Sequence, residues 1–188
     1  AARAPAKHGT SPFNYFVDPS PDQLLRVSVG MAFRRARLKS AYNVLRGKDM
    51  ETEVFSEEQR DMQFAKLQEA QAHTLSLTHW HDFLGILKQS GVLGSNMISS
   101  QTTIYYTYIL YLIGRIDLKV NPNTLGQIIG RWYYMASITS RYTGGSPETL
   151  MERDLAGLRE ISTAAEFLAW VERAMSTELT PDFWSVTL

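Results

Sequence analysis

The chain contains no cysteine, which excludes disulfides, thiolate metal sites and cysteine nucleophiles and fits a reducing cytoplasm. It has no excess of either charge: nineteen Lys and Arg meet nineteen Asp and Glu, so no global field draws it to nucleic acid, a membrane or an acidic substrate. Long hydrophobic runs are missing too. The longest, Ile104 to Ile113, is about half the ~20 residues that span a bilayer, and no apolar segment follows the N-terminal Ala-Ala-Arg-Ala-Pro-Ala-Lys as it would in a secretory signal. No membrane partner is expected. Period-two strand runs, Asn-Gly hairpin turns and internal repeats are absent, as are the Gly-rich phosphate loops and the Gly-x-Ser-x-Gly nucleophile elbow.

What remains is the composition of one globular domain: 188 residues, 44% hydrophobic, 20% charged and 11% aromatic. Such a chain buries about 70% of its unfolded surface. Residues 1–19 carry Pro5, Pro12 and Pro19 and read as an extended lead whose Phe13, Tyr15 and Phe16 dock on the body. Residues 20–188 read as a single helical domain. The chain starts at Ala1 and stops at Asp-Phe-Trp-Ser-Val-Thr-Leu, which gives the expectation of a fragment of a longer protein.

Helix punctuation is dense. Ser20-Pro21-Asp22 starts a helix expected to run to Arg46, with Gly47 as its stop and two apolar stripes that bury it on both sides. Ser56 to Gln59 is a capping box for a weakly apolar helix ending near His73. Thr78 is expected to cap a helix carrying Trp80, Phe83, Leu84 and Leu87, and the loop Gly91 to Ser100 follows. Gln101 to Arg115 is long enough for a buried helix, although its tyrosines and β-branched residues also suit a strand. Asn121-Pro122 opens a helix expected to reach Arg141, before Thr143-Gly144-Gly145. Ser146-Pro147-Glu148, Thr163 with Glu166, and Thr180-Pro181-Asp182 open three more. The expected fold is all-α, an irregular bundle of six to eight helices.

No catalytic constellation is visible. His73, His79 and His81 invite a metal reading, but an i, i+2 pair on a helix points its rings about 200° apart, and no Cys or acidic pair completes a set. Glu51 and Glu53 sit in a linker, and Glu57, Glu58 and Asp61 crowd a helix start whose dipole favours them. Charge is uneven along the chain, however. Residues 1–47 hold eight Lys or Arg against two Asp, while residues 48–188 hold eleven against seventeen acids. Arg26, Arg34, Arg35, Arg37, Lys39 and Arg46 therefore either meet DNA phosphates or neutralise the acidic body of the same molecule. A further reading makes Tyr105, Tyr106, Tyr108 and Tyr111 a recognition strip of an adaptor for a partner protein or peptide; its rival is a core helix.

One stretch carries a family likeness. Arg131-Trp132-Tyr133-Tyr134, then Arg141-Tyr142, Thr143-Gly144-Gly145-Ser146-Pro147-Glu148 and Asp154-Leu155 resemble a signature of the GmrSD-type restriction endonucleases, bacterial defence proteins that attack phage DNA carrying modified bases. Trp80-His81-Asp82-Phe83-Leu84 and the Tyr-rich helix fit the same layout loosely, so the likeness covers most of residues 20–188. The resemblance implies a larger protein in which this helical region partners a ParB/sulfiredoxin-like nucleotide-handling module and a His-Asn-His nuclease. Neither module's motif is present here: the family's Asp-Gly-Gln-Gln-Arg has no counterpart, and Gln59-Arg60 follows two glutamates. The expected cofactors are then none in this chain, with NTP and a divalent metal belonging to the parent. Two readings of the signature stay open. Arg131 or Arg141 paired with Asp154 fixes a helix crossing, or Arg141, Tyr142 and the helix start at Ser146 form an anion site for a phosphate.

Overall fold

The computed structural model describes residues 17, 19–48, 54–98 and 100–187. Among them the only β-type pairing is one antiparallel bridge between Lys48 and Phe55, and everything else regular is helical: α1 Pro21–Phe33, α2 Leu38–Leu45, α3 Glu57–Thr74, α4 Leu77–Gln89, α5 Gln101–Leu112, α6 Pro122–Ile138, α7 Pro147–Ala156, α8 Ala164–Glu178 and α9 Pro181–Thr187. The fold is all-α, an irregular bundle. None of these helices is long and apolar enough to cross a membrane. Of the expected N-terminal lead, Phe13, Tyr15 and Phe16 lie outside the described residues, and Val17 is buried.

The bundle is organised around α5, every residue of which from Thr103 to Leu112 is buried. A helix apolar all round needs neighbours on every side: α1, α4 and α6 flank it, α3 packs on α1, and α8 packs on α6. The strand reading of this segment fails because its aromatic residues find partners around a helix. Tyr108 meets Trp80 edge-on at 4.9 Å and Phe83 at 5.0 Å, and its hydroxyl donates to the Thr74 carbonyl at 3.2 Å. Beyond Leu112 the helix widens into a π turn, Ile113–Asp117. Gly114 in that turn lets α5 approach α6 and α8 closely, since a Cβ there would sit 2.6 Å from Leu125 Cδ1 and 3.1 Å from the Phe167 ring.

Three boundaries differ from the sequence expectation. The first helix does not reach Arg46: Arg34 adopts the left-handed conformation (φ 53°), ends α1 at Phe33, and the chain runs extended through Arg37 before α2 begins. That division raises the helix count to nine among the described residues. Gly47 does act as the stop, of α2: with φ 82° it completes a Schellman cap in which its N–H donates to Val44 and that of Lys48 to Asn43. The cap of α4 is Ser76, accepting from the His79 N–H at 3.4 Å, and not Thr78. The third difference is the end of α6. It stops at Ile138 because Ser140 takes φ 52°, four residues ahead of Gly144, with Ser140 N–H on the Ser137 carbonyl and Arg141 N–H on the Ala136 carbonyl. By contrast, the Ser20, Asn121 and Thr163 starts all form as expected, two of them as full capping boxes.

Candidate functional site

The Schellman cap of α6 decides where Arg141 and Tyr142 point. By folding the chain back at Ser140, it turns Arg141 and Tyr142 into the interior between α6, α7 and α8 instead of letting them ride out on an extended helix. There the Arg141 guanidinium meets Asp154 of α7 in a two-pronged contact, Nε to Oδ2 at 3.0 Å and Nη2 to Oδ1 at 2.7 Å. The Tyr142 hydroxyl donates to the same carboxylate, 2.7 Å from Oδ2. Both charged side chains are only 4% exposed. The remaining edge of the guanidinium pairs with Glu178 at the end of α8, and its flat face lies over the Trp132 ring at 5.6 Å, which in turn stacks on Trp170.

These contacts leave the cluster electrostatically closed. Burial alone would make Arg141 a weaker base, but the hydrogen bonds and charge of Asp154, with Tyr142 and Glu178, hold it firmly protonated. Burial and the neighbouring Asp154 push Tyr142 well above the usual phenol range, so it stays a neutral donor. A phosphate entering here would have to displace Asp154 from a fork it already fills on both prongs.

The other signature residues separate. Arg131 is not part of the cluster. It lies on the exposed side of α6 and holds Glu172 of α8 through two bonds of 2.6 and 3.0 Å. Ser146 is exposed and does not cap α7; its hydroxyl shares a 2.7 Å bond with the Thr149 hydroxyl. The negative charge that the start of α7 attracts comes from the chain itself, since Glu148 occupies the first turn and binds Arg26 at 2.5 Å.

Three of the basic residues around α1 and α2 are likewise committed to carboxylates. Arg26 lies between Asp22 and Glu148, Arg34 pairs with Asp117, and Arg35 reaches Glu152 at 3.0 Å. Arg37 is exposed and donates to the Thr149 hydroxyl at 3.2 Å, and Lys39 is exposed with no ion pair among the described residues. They form no continuous cationic face. The tyrosine strip is no surface either: Tyr105, Tyr106, Tyr108 and Tyr111 are at most 5% exposed, which removes the adaptor reading, because a docking strip must be accessible. Among the histidines, the rings of His73 and His79 are 5.5 Å apart and His79 Nδ1 lies 3.2 Å from the His73 carbonyl. No group of three or more His, Asp or Glu able to hold a metal occurs among the described residues.

Two acidic residues that the sequence did not single out do much of the organising. Glu152 of α7 accepts from Arg35 and Arg159, and from the backbone N–H groups of Ala36 and Arg37 at 2.7 and 3.3 Å. It thus caps α2, whose own N-cap residue, Arg37, provides no side-chain acceptor. Burial opposes its ionisation, but those backbone and arginine donors hold its pKa below the usual carboxylate range. Glu178 closes the signature cluster. Neither is reachable from spacing, because every partner except Arg159 is more than a helix away in sequence. No protein-family model, no curated protein and no solved structure matches the chain.

Proposed function

We propose that this chain is a non-catalytic helical scaffold of a modification-dependent DNA restriction endonuclease, coupling a nucleotide-handling module to a nuclease in cytoplasmic phage defence. The observation that supports it is the fate of the residues that resemble that family's signature: Trp132, Arg141, Tyr142 and Asp154 gather into one buried cluster that ties α6, α7 and α8 together. Residues used this way transmit position, not chemistry. NTP and a divalent metal belong to the partner modules of the parent. DNA contact through the basic N-terminal helices is weak, since Arg26, Arg34 and Arg35 are committed to carboxylates and, of the candidates there, Arg37, Lys39 and Arg46 present exposed charge.

The test is binding to labelled duplex DNA, plain and base-modified, across a salt series from about 50 to 200 mM. Three exposed cations, Arg37, Lys39 and Arg46, predict a log–log slope of about −3 or shallower. Tight binding with a slope steeper than about −5 would make this region the DNA-holding part and overturn the scaffold reading. In the full-length endonuclease, Asp154→Ala is expected to leave NTP turnover intact and abolish DNA cleavage, and undiminished cleavage would equally refute it.

A further inference from the structure

Among the arginines that are at least half-buried, Arg26, Arg34, Arg35 and Arg141 each hold a carboxylate. Arg115 does not. It is half-buried on the π turn after α5 and makes no hydrogen bond or ion pair among the described residues. The side chain lines a cleft of about 330 Å³ between α4, the end of α5 and the start of α6, within the size range of small-ligand sites. The clefts lined by Arg26, Arg34 and Arg131 differ in this respect, because their arginines are already neutralised.

Three further features of the same cleft are unexplained by packing. Tyr111 lines it with its ring buried, and its hydroxyl makes no hydrogen bond among the described residues, which leaves it free to donate into the cleft. His81, on α4, adds an imidazole to the lining. The floor includes Gly85, a glycine inside α4 where an added Cβ would meet nothing within 4 Å. A mid-helix glycine weakens a helix by about 1 kcal/mol and is normally kept for a close approach; here none exists, and what the missing side chain preserves is the open cleft. The π turn itself is a device often found where a helix aims a side chain at a ligand.

We propose that this cleft binds the terminal phosphate of a small phosphorylated ligand, with Arg115, the Tyr111 hydroxyl and His81 as its donors. A guanidinium fork with a hydroxyl one turn earlier on the same stretch and an imidazole from α4 matches the tetrahedral oxygens of a phosphate better than the flat edge of a carboxylate. Asp82 is the one carboxylate among the lining residues and sets a repulsive limit on affinity. This site is independent of the scaffold reading above, and its test does not use DNA cleavage.

The experiment is an amide and arginine side-chain NMR titration of the chain with inorganic phosphate and with adenosine monophosphate, at ionic strength held constant with chloride. Saturable shifts confined to Gly85, Tyr111 and Arg115 are expected. Arg115→Gln should lose about tenfold or more in affinity, and Asp82→Asn should gain about fivefold by removing one nearby like charge. Gly85→Leu should abolish binding by filling the cleft while melting no lower than the parent chain, which separates occlusion from unfolding. Unsaturable shifts scattered over surface lysines, or an equal response in Arg115→Gln, would overturn the proposal. Duplex DNA displacing adenosine monophosphate from these residues would overturn its assignment to a small ligand.

Discussion

Asp154→Ala removes the carboxylate that Arg141 and Tyr142 share, and the size of the effect follows from what stays behind. Breaking a buried pair from one side costs about 3–5 kcal/mol. The low end applies, because Glu178 still faces the Nη1 edge of the guanidinium from a position 31% exposed. The orphaned hydroxyl of Tyr142, itself 1% exposed, adds about 1 kcal/mol. The sum, about 4 kcal/mol, is a large share of the ~5–15 kcal/mol that holds a domain folded and corresponds to a fall of about 10 °C in Tm for a chain this long. Urea unfolding followed by far-UV circular dichroism measures it. Glu178→Gln should cost only about 1 kcal/mol, as befits a partly exposed partner, and the double variant R141M/D154L should be more stable than Asp154→Ala because both deeply buried charges are gone and only the partly exposed Glu178 loses its partner. A loss below about 1 kcal/mol for Asp154→Ala, with an unchanged urea slope, would refute the claim that this cluster anchors the α6–α7–α8 junction.

Three other expectations are open to the same methods. Because the folded-state pKa of Glu152 is lowered, its contribution is present above the ordinary carboxylate range and disappears as pH falls through the folded value; acid titration of stability should flatten in Glu152→Gln, and identical acid limbs would disprove this. Tyr106 and Tyr111 are raised to about 12, mainly by burial, and Tyr108 and Tyr142 are raised as well. The stability their neutral forms contribute is fully present below the unfolded tyrosine value of about 10 and is lost as pH rises from there through the raised folded values, so phenolate absorbance and loss of helix should rise together in alkali, whereas phenolate forming in an intact fold would contradict their burial. Gly114→Ala should destabilise by about 1–2 kcal/mol despite its better helix propensity, since the new Cβ meets Leu125 and the Phe167 ring; thermal melting at or above the parent value would show that α5 can retreat from α6.

Local chemistry made much of the fold legible. Ser20-Pro21, Asn121-Pro122 and the Thr163/Glu166 pair each satisfy their own helix ends within a few residues, so spacing alone locates them. The divide between α1 and α2 carries no such mark, because Arg34 is neither Gly nor Asn, and its left-handed turn is held by Asp117 and by Arg159 donating to its carbonyl, both far along the chain. Likewise, Arg141 and Asp154 read as a pair because they bracket one tight turn, whereas Glu178 enters the same cluster from 37 residues away. The burial of the tyrosines on α5 was equally unreadable from one helix: whether a Tyr-rich stripe meets water depends on how many neighbours wrap it.

The Glu152 cap has a temporal consequence. The backbone N–H groups that open α2 are satisfied by a carboxylate 116 and 115 residues further along the chain. At a synthesis rate of ~5–20 residues per second, the corner between α1 and α2 leaves the ribosome roughly ten seconds before the group that closes it exists. During that interval the first two helices have a hinge without a latch, and the N-terminal quarter of the protein must be finished from the C-terminal side.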